Sequence, residues 1–247
     1  MKQSRAMFLK SLLETGSPLS FVLPAIVQRR VARVLTAAGI AAPALWLASA
    51  IYIGSLRPEY NHYRQYISEL AARGTSTQHL MQVTGFVLPG LMVVAFGVLV
   101  GVSVYTKLAG TGAALLIVSG LARIAAGLFP LDPCCTASAP SFSERMHNAA
   151  GATYVVAAGA AVLVWCVVGE RTFATRTHWF RWYSLATFVA ALALPSLLIR
   201  FGANPADVGL FQRASFSVLN LWLLVFAMLA WSRSSDLRRR YTSDAYE

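Results

Sequence analysis

The chain has 247 residues, 57% of them apolar and only 13% charged, and its mean hydropathy is +0.57. This excludes a soluble domain with an ordinary polar surface. The net charge of +11 comes with no nucleic-acid recognition motif, and its placement along the chain has another explanation, so nucleic acid is excluded as a partner.

Six apolar runs, at about residues 33–56, 79–104, 108–129, 146–168, 179–199 and 211–232, are each long enough to cross a hydrocarbon core of ~30 Å at ~1.5 Å per residue. They predict an all-α, polytopic transmembrane bundle of six helices over residues 31–232. A basic segment precedes it (residues 1–30) and a short basic tail follows (233–247). Lys2, Arg5, Lys10, Arg29, Arg30, Arg33, Lys107, Arg171, Arg176, Arg181, Arg233, Arg238, Arg239 and Arg240 would all lie on one side, fourteen of the 21 basic residues. By the positive-inside rule both termini are expected to be cytoplasmic, in a multi-pass protein of the bacterial cytoplasmic membrane. The basic ends then orient the chain and attract anionic lipid.

In the first thirty residues, Met7, Phe8, Leu9, Leu12 and Leu13 alternate with Lys2, Arg5 and Lys10. That pattern predicts an amphipathic helix lying on the membrane and not a cleaved signal peptide. After the first span, Tyr60, Tyr63 and Tyr66 suit the headgroup level. A short surface helix is expected from Tyr63 to Ala72, ended by Gly74. Tyr66, Glu69 and Leu70 would share one face of it, turning Glu69 toward the bundle; a solvated pairing with Arg73 is the alternative.

The second span opens with His79 and carries Pro89-Gly90, where a kink is expected. A tight turn at 105–107 leads into the third span, whose Gly110, Gly112, Gly120 and Gly127 predict close helix approach. Arg123 is the costly residue there, about 2.5–3.5 kcal/mol on insertion scales. It either snorkels to the interface or, the preferred reading, pairs in the interior with Glu69 or Asp132.

The segment from Gly127 to His147 holds Asp132, the adjacent Cys134 and Cys135, and Ser141 and Ser143 as candidate caps for the next helix. It is longer and chemically richer than a plain connection, and is read as one wall of a site. In the fourth span His147 and Asn148 lie in the first turn, and Gly151 leaves space one turn below His147. Cys166 reads as a small buried residue. Arg213 opens the sixth span, and Asn220 lies deeper on it, where an amide knits helices together.

Three motifs, Tyr63-Arg-Gln-Tyr-Ile-Ser-Glu-Leu70, Gly127-Leu-Phe-Pro-Leu-Asp132 followed by His147, and Gly209-Leu-Phe-Gln-Arg213, resemble those of the six-span bacterial and archaeal membrane proteins grouped as domain of unknown function 998. The resemblance spans roughly residues 33–232. It implies the six-span fold and these positions, and no activity. A more distant likeness is to the Frag1/DRAM/Sfk1 membrane proteins. The basic first thirty residues and the Cys134-Cys135 pair depart from the pattern.

Glu69, Arg123, Asp132, His147 and Arg213 thus come from separate parts of the chain and are all placed at one membrane face. Glu69, Asp132 and His147 are the candidates for acid–base chemistry. Tyr63, Tyr66, Arg123, Asn148 and Arg213 are the candidates for ligand contact. No two histidines share a helix at ligand spacing, so no metal and no cofactor is expected. The leading expectation is a pocket for a membrane lipid, an isoprenoid-like compound or another hydrophobic small molecule. An intramembrane enzyme acting on such a compound and a purely structural bundle are the alternatives.

Overall fold

The computed structural model describes residues 25–104, 106–133, 139–173, 178–200 and 207–243, with side chains described within 30–104, 106–133, 139–169, 178–194 and 207–232. Of the expected amphipathic segment at residues 1–30, residues 1–24 lie outside them, as does the Cys134-Cys135 pair, while residues 25–30 begin a long helix. Six helices carry the fold: α1 (Ala25–Ser55), α2 (Gln78–Ser103), α3 (Lys107–Leu128), α4 (Phe142–Phe173), α5 (His178–Arg200) and α6 (Val208–Ser243). There is no strand among the described residues. Five of the helices, all but α5, are long and apolar enough over their described residues to cross a membrane. Helix α5 lies where the fifth span was expected. Helix α6 continues to Ser243, so the basic run after Arg233 extends the last helix before any tail begins.

Each helix packs on its neighbours in sequence, and α6 closes back on α1. The outward faces are apolar, with Leu47, Ile51, Leu91, Leu121, Leu192 and Leu221 exposed. Such a surface is costly in water and natural against acyl chains. Inside, the core has two parts. Phe96, Trp165, Phe180, Trp222 and Phe226 belong to one cluster. Trp222 stacks on Phe226 at 5.1 Å between ring centroids, and its indole N–H donates to Ser184 at 2.9 Å. Trp46, Ile53, Tyr60, Ile67, Leu70, Met81 and Phe86 form the second cluster, under the connection between α1 and α2.

The glycines of α3 are only partly contact sites. A Cβ on Gly120 would come within 2.8 Å of the Gly90 carbonyl, and one on Gly90 would meet the Gly120 carbonyl at the same distance, so α2 and α3 touch backbone to backbone there. Gly110 faces open space. The irregularity expected at Pro89 lies just before it, as a π-helical turn at Gln82–Val87 in which Leu88 N–H reaches back to the Val83 carbonyl. Proline blocks the bond and crowds the carbonyl four residues earlier, and a wider turn relieves both.

The connection between α1 and α2 folds into a cap over one end of the bundle. Its helix is shorter and tighter than expected, a 3₁₀ segment at Ile67–Ala71, and Gly74 closes the turn after it with φ of 80°. Leu70 is fully buried beneath the cap. Several bonds fasten it. Arg73 N–H donates to the Leu131 carbonyl at 2.9 Å and Leu210 N–H to that of Tyr63 at 3.1 Å. Ile67 N–H donates to the Gln212 side chain at 2.7 Å, and the Thr77 hydroxyl to the Leu70 carbonyl at 2.8 Å.

Candidate functional site

A cavity of about 700 Å3 opens beneath the cap. Tyr66, Ile67 and Ser68 roof it; α4, α6, Trp46 of α1 and Phe86 of α2 wall it; Arg123 projects from α3. On α4 the lining residues Glu144, His147, Asn148, Gly151, Tyr154 and Val155 recur at helical spacing, one continuous stripe. On α6 the stripe is Phe211, Gln212, Ser215 and Phe216. Helices α4 and α6 are joined through α5 and meet each other over only a short stretch. Asn148, Ala152 and Val156, four residues apart along α4, are exposed although they line the cavity. The opening is therefore sideways.

Arg123 is the deepest polar group. Its side chain is 4% exposed and leaves α3 five residues before Leu128. One guanidinium nitrogen, Nη2, donates to the Tyr154 hydroxyl at 2.7 Å and to Asn220 Oδ1 at 3.1 Å. The guanidinium also lies 4.6 Å from the Tyr154 ring centroid and 5.9 Å from that of Trp46. Phe216 stacks against both rings, at 5.2 Å from Tyr154 and 6.2 Å from Trp46. Cation–π contact of this kind is worth about 2 kcal/mol when desolvated. Among the described residues no carboxylate takes part, and Nη1 is buried without a hydrogen-bond partner. The expected ion pair with Glu69 or Asp132 does not form. Interior location was foreseen; neutral partners from α4 and α6 were not.

Both of those carboxylates are engaged with backbone instead. Glu69 turns back on its own helix, where Oε1 accepts from Tyr66 N–H at 2.8 Å and Oε2 from the Gln65 amide at 2.9 Å. It caps a helix N-terminus, is half-buried, and neither enters the cavity nor pairs with Arg73. Asp132 Oδ2 accepts from Ser141 N–H at 2.8 Å. The Ser141 backbone N–H first, and its hydroxyl second, hold the Asp132 carboxyl below its ordinary range. It clasps the start of α4, which Ser141 caps through its hydroxyl to Glu144 N–H at 3.2 Å.

Arg213 is likewise structural in its contacts. It donates to the Gln65 and Gly209 carbonyls at 2.8 and 3.0 Å and to the Tyr60 hydroxyl, and it does not line the cavity. Tyr63 is exposed at the cap surface. Of the expected site residues, the cavity gathers Tyr66, Arg123, His147 and Asn148, and leaves out Tyr63, Glu69, Asp132 and Arg213.

His147 is buried on α4. Its Nδ1 lies 2.8 Å from the Ala126 carbonyl and 2.9 Å from that of Phe129. Both neighbours are acceptors, so Nδ1 carries the proton. In the neutral ring Nε2 is then an acceptor, with no protein partner among the described residues. Phe86 packs edge-on to the ring at 5.9 Å.

Trp46, Glu144, Tyr154, Gln212 and Phe216 are lining residues the sequence reading missed. The signal for Glu144 and Tyr154 was the helical spacing from His147 on α4, and that for Phe216 the four-residue step from Gln212 on α6; Trp46, on α1, had none. Among the described residues no group of three or more potential metal ligands comes together.

Residues 40–229 match the family described as protein of unknown function (DUF998). The chain belongs to that family. No curated protein and no solved structure matches it. The family match begins within α1 and ends within α6, so it takes in the cap and every residue that lines the cavity of this DUF998 bundle.

Proposed function

We propose that the bundle binds one hydrophobic small molecule or lipid in the cavity between α4 and α6, admitted sideways from the bilayer. The carrying observation is the cavity itself: about 700 Å3, walled mainly by aromatic and aliphatic side chains with a few convergent polar groups. That is the usual make-up of a ligand site. The placement of basic residues favours an orientation with the capped end outside the cytoplasm, so the ligand would come from the outer leaflet.

Gly151 supplies the test. It lines the cavity, and a Cβ there would meet nothing within 4 Å. Gly151→Phe should therefore fill the space and leave the helix intact. Wild-type protein purified in mild detergent should carry a hydrophobic compound detectable by mass spectrometry of the extract, and Gly151→Phe should not. Equal recovery from both would refute the proposal.

One observation favours an enzymatic second reading. Glu144 and His147 stand one turn apart on α4 and line the same space, and a carboxylate with an imidazole can share acid–base work. This shifts the acid from Glu69 or Asp132 to Glu144. Turnover of the recovered compound that disappears in Glu144→Gln, with binding retained, would establish it.

A further inference from the structure

We propose that Arg123 is an anion seat, and that the bound molecule is an apolar chain ending in one anionic oxygen group, a carboxylate or a phosphate monoester. The inference rests on the cavity being a ligand site. Orphaned buried donors are rare in folded proteins, and this one belongs to a charged group. Nη2 is fixed by the Tyr154 hydroxyl and Asn220, which sets the plane of the guanidinium, while Nη1 has no partner. A planar fork held at one nitrogen and unsatisfied at the other suits an oxyanion, which reaches the buried Nη1 when the side chains around it shift.

The surroundings favour a small anionic end over a large one. Glu144, the one acid lining the cavity among the described residues, lies ten residues before Tyr154 on α4, about 15 Å of helix rise away toward the cap. The charge at Arg123 is thus not neutralised locally. Arg123 is also five residues, roughly 8 Å, inside the end of α3. A diacyl phospholipid would have to draw its whole headgroup below the interface to reach that depth. A chain with a terminal carboxylate or phosphate brings only the anion, and its tail can leave past Ala152 and Val156.

The test uses the full chain in phosphatidylcholine nanodiscs, with binding read from native mass spectrometry and from the tryptophan fluorescence that is lost in Trp46→Phe. The probes are oleate, oleyl phosphate, neutral oleyl alcohol, and phosphatidylglycerol supplied in the disc. Oleate or oleyl phosphate should bind about tenfold or more tighter than oleyl alcohol, and Arg123→Gln should erase that preference. Phosphatidylglycerol binding with the same Arg123 dependence would keep the anion seat and overturn the single chain with a terminal anion as its ligand. Equal binding of acid and alcohol to wild type would overturn the seat and leave the hydrophobic cavity standing. If no probe binds wild type any better than Gly151→Phe, both readings fall. Should Arg123→Gln fail to fold, the comparison of acid with alcohol on wild type decides alone.

Discussion

Arg213 donates to the hydroxyl of Tyr60, 153 positions away in sequence, and its guanidinium also stands 5.5 Å from the Tyr60 ring centroid. Tyr60 passes the connection on, donating to the Tyr66 carbonyl at 3.0 Å. One side chain at the start of α6 therefore holds the cap at Tyr60 and at the Gln65 carbonyl. Burial pushes the Tyr60 phenol up, against the pull of Arg213, and keeps its proton in place.

Arg213→Ala should detach the cap. It leaves the Gln65 carbonyl and the Tyr60 hydroxyl without their charged donor, and hydrogen bonds to charged groups are worth about 1.5–3 kcal/mol each. A clear drop in Tm in detergent is expected, with partial recovery in Arg213→Lys. An unchanged Tm would show that the cap stays down without Arg213.

Two glycines of the same helix should respond in opposite ways. Gly120→Ala drives a methyl against the Gly90 carbonyl at 2.8 Å, where neither backbone can yield, and overpacking of this kind costs about 1–3 kcal/mol. Gly110→Ala meets nothing within 4 Å and should be neutral or stabilising by up to about 1 kcal/mol. Paired unfolding curves check both; similar shifts would mean that α2 and α3 do not meet as described.

Much of the scaffold was legible because a membrane helix announces itself through length and apolarity alone. The six helices needed nothing more, and Arg123 stood out as interior because its cost there is large. What a polar side chain does was less legible. Glu69 and Asp132 looked like acid–base groups or partners for Arg123, but each accepts a backbone N–H whose direction follows from local chain geometry. Arg123 takes partners from α4 and α6, and no spacing along α3 could name Tyr154 or Asn220. The stripe from Glu144 to Val155 could have been found by extending the helical period from His147. The π-turn before Pro89 has no sequence signal of its own beyond the proline.

Acid should loosen the capped end in two separate windows. The carboxyl of Asp132 is held below its ordinary 3.8. A depressed folded pKa stabilises the fold above the unfolded value and loses that contribution as pH falls through the folded one. Its clasp on Ser141 therefore persists at neutral pH and fails below 3.8, and the Tm gap between wild type and Asp132→Asn should close there. His62, packed edge-on to Tyr60 at 5.1 Å, is held below its ordinary 6.5 by burial first and by Arg213 second. The sign is the same: its contribution is complete above 6.5 and is lost as pH falls below it. Melting curves between pH 7.5 and 5.5 should show a decline in wild type that flattens in His62→Gln. A parallel decline in both would remove His62 from the account.

The cluster around Arg123 allows stability to be separated from use. A buried charge with neutral partners is poor support for a fold, and removing a whole buried polar group of this kind is often neutral or stabilising by about 1–4 kcal/mol. Arg123→Met alone takes the donor from the Tyr154 hydroxyl and the Asn220 carbonyl oxygen, so that single variant should be destabilised. The combination Arg123→Met, Tyr154→Phe and Asn220→Leu removes every member together. It also leaves the Phe216 carbonyl, which accepts from the Asn220 amide at 2.8 Å, in an otherwise apolar helix. The triple variant should melt at or above the wild-type temperature while losing its preference for an anionic chain over a neutral one. If it instead melts well below wild type, as Arg123→Met should, the guanidinium and its partners act as a structural pin between α3, α4 and α6, and the anion seat stands or falls on the binding of acid against alcohol.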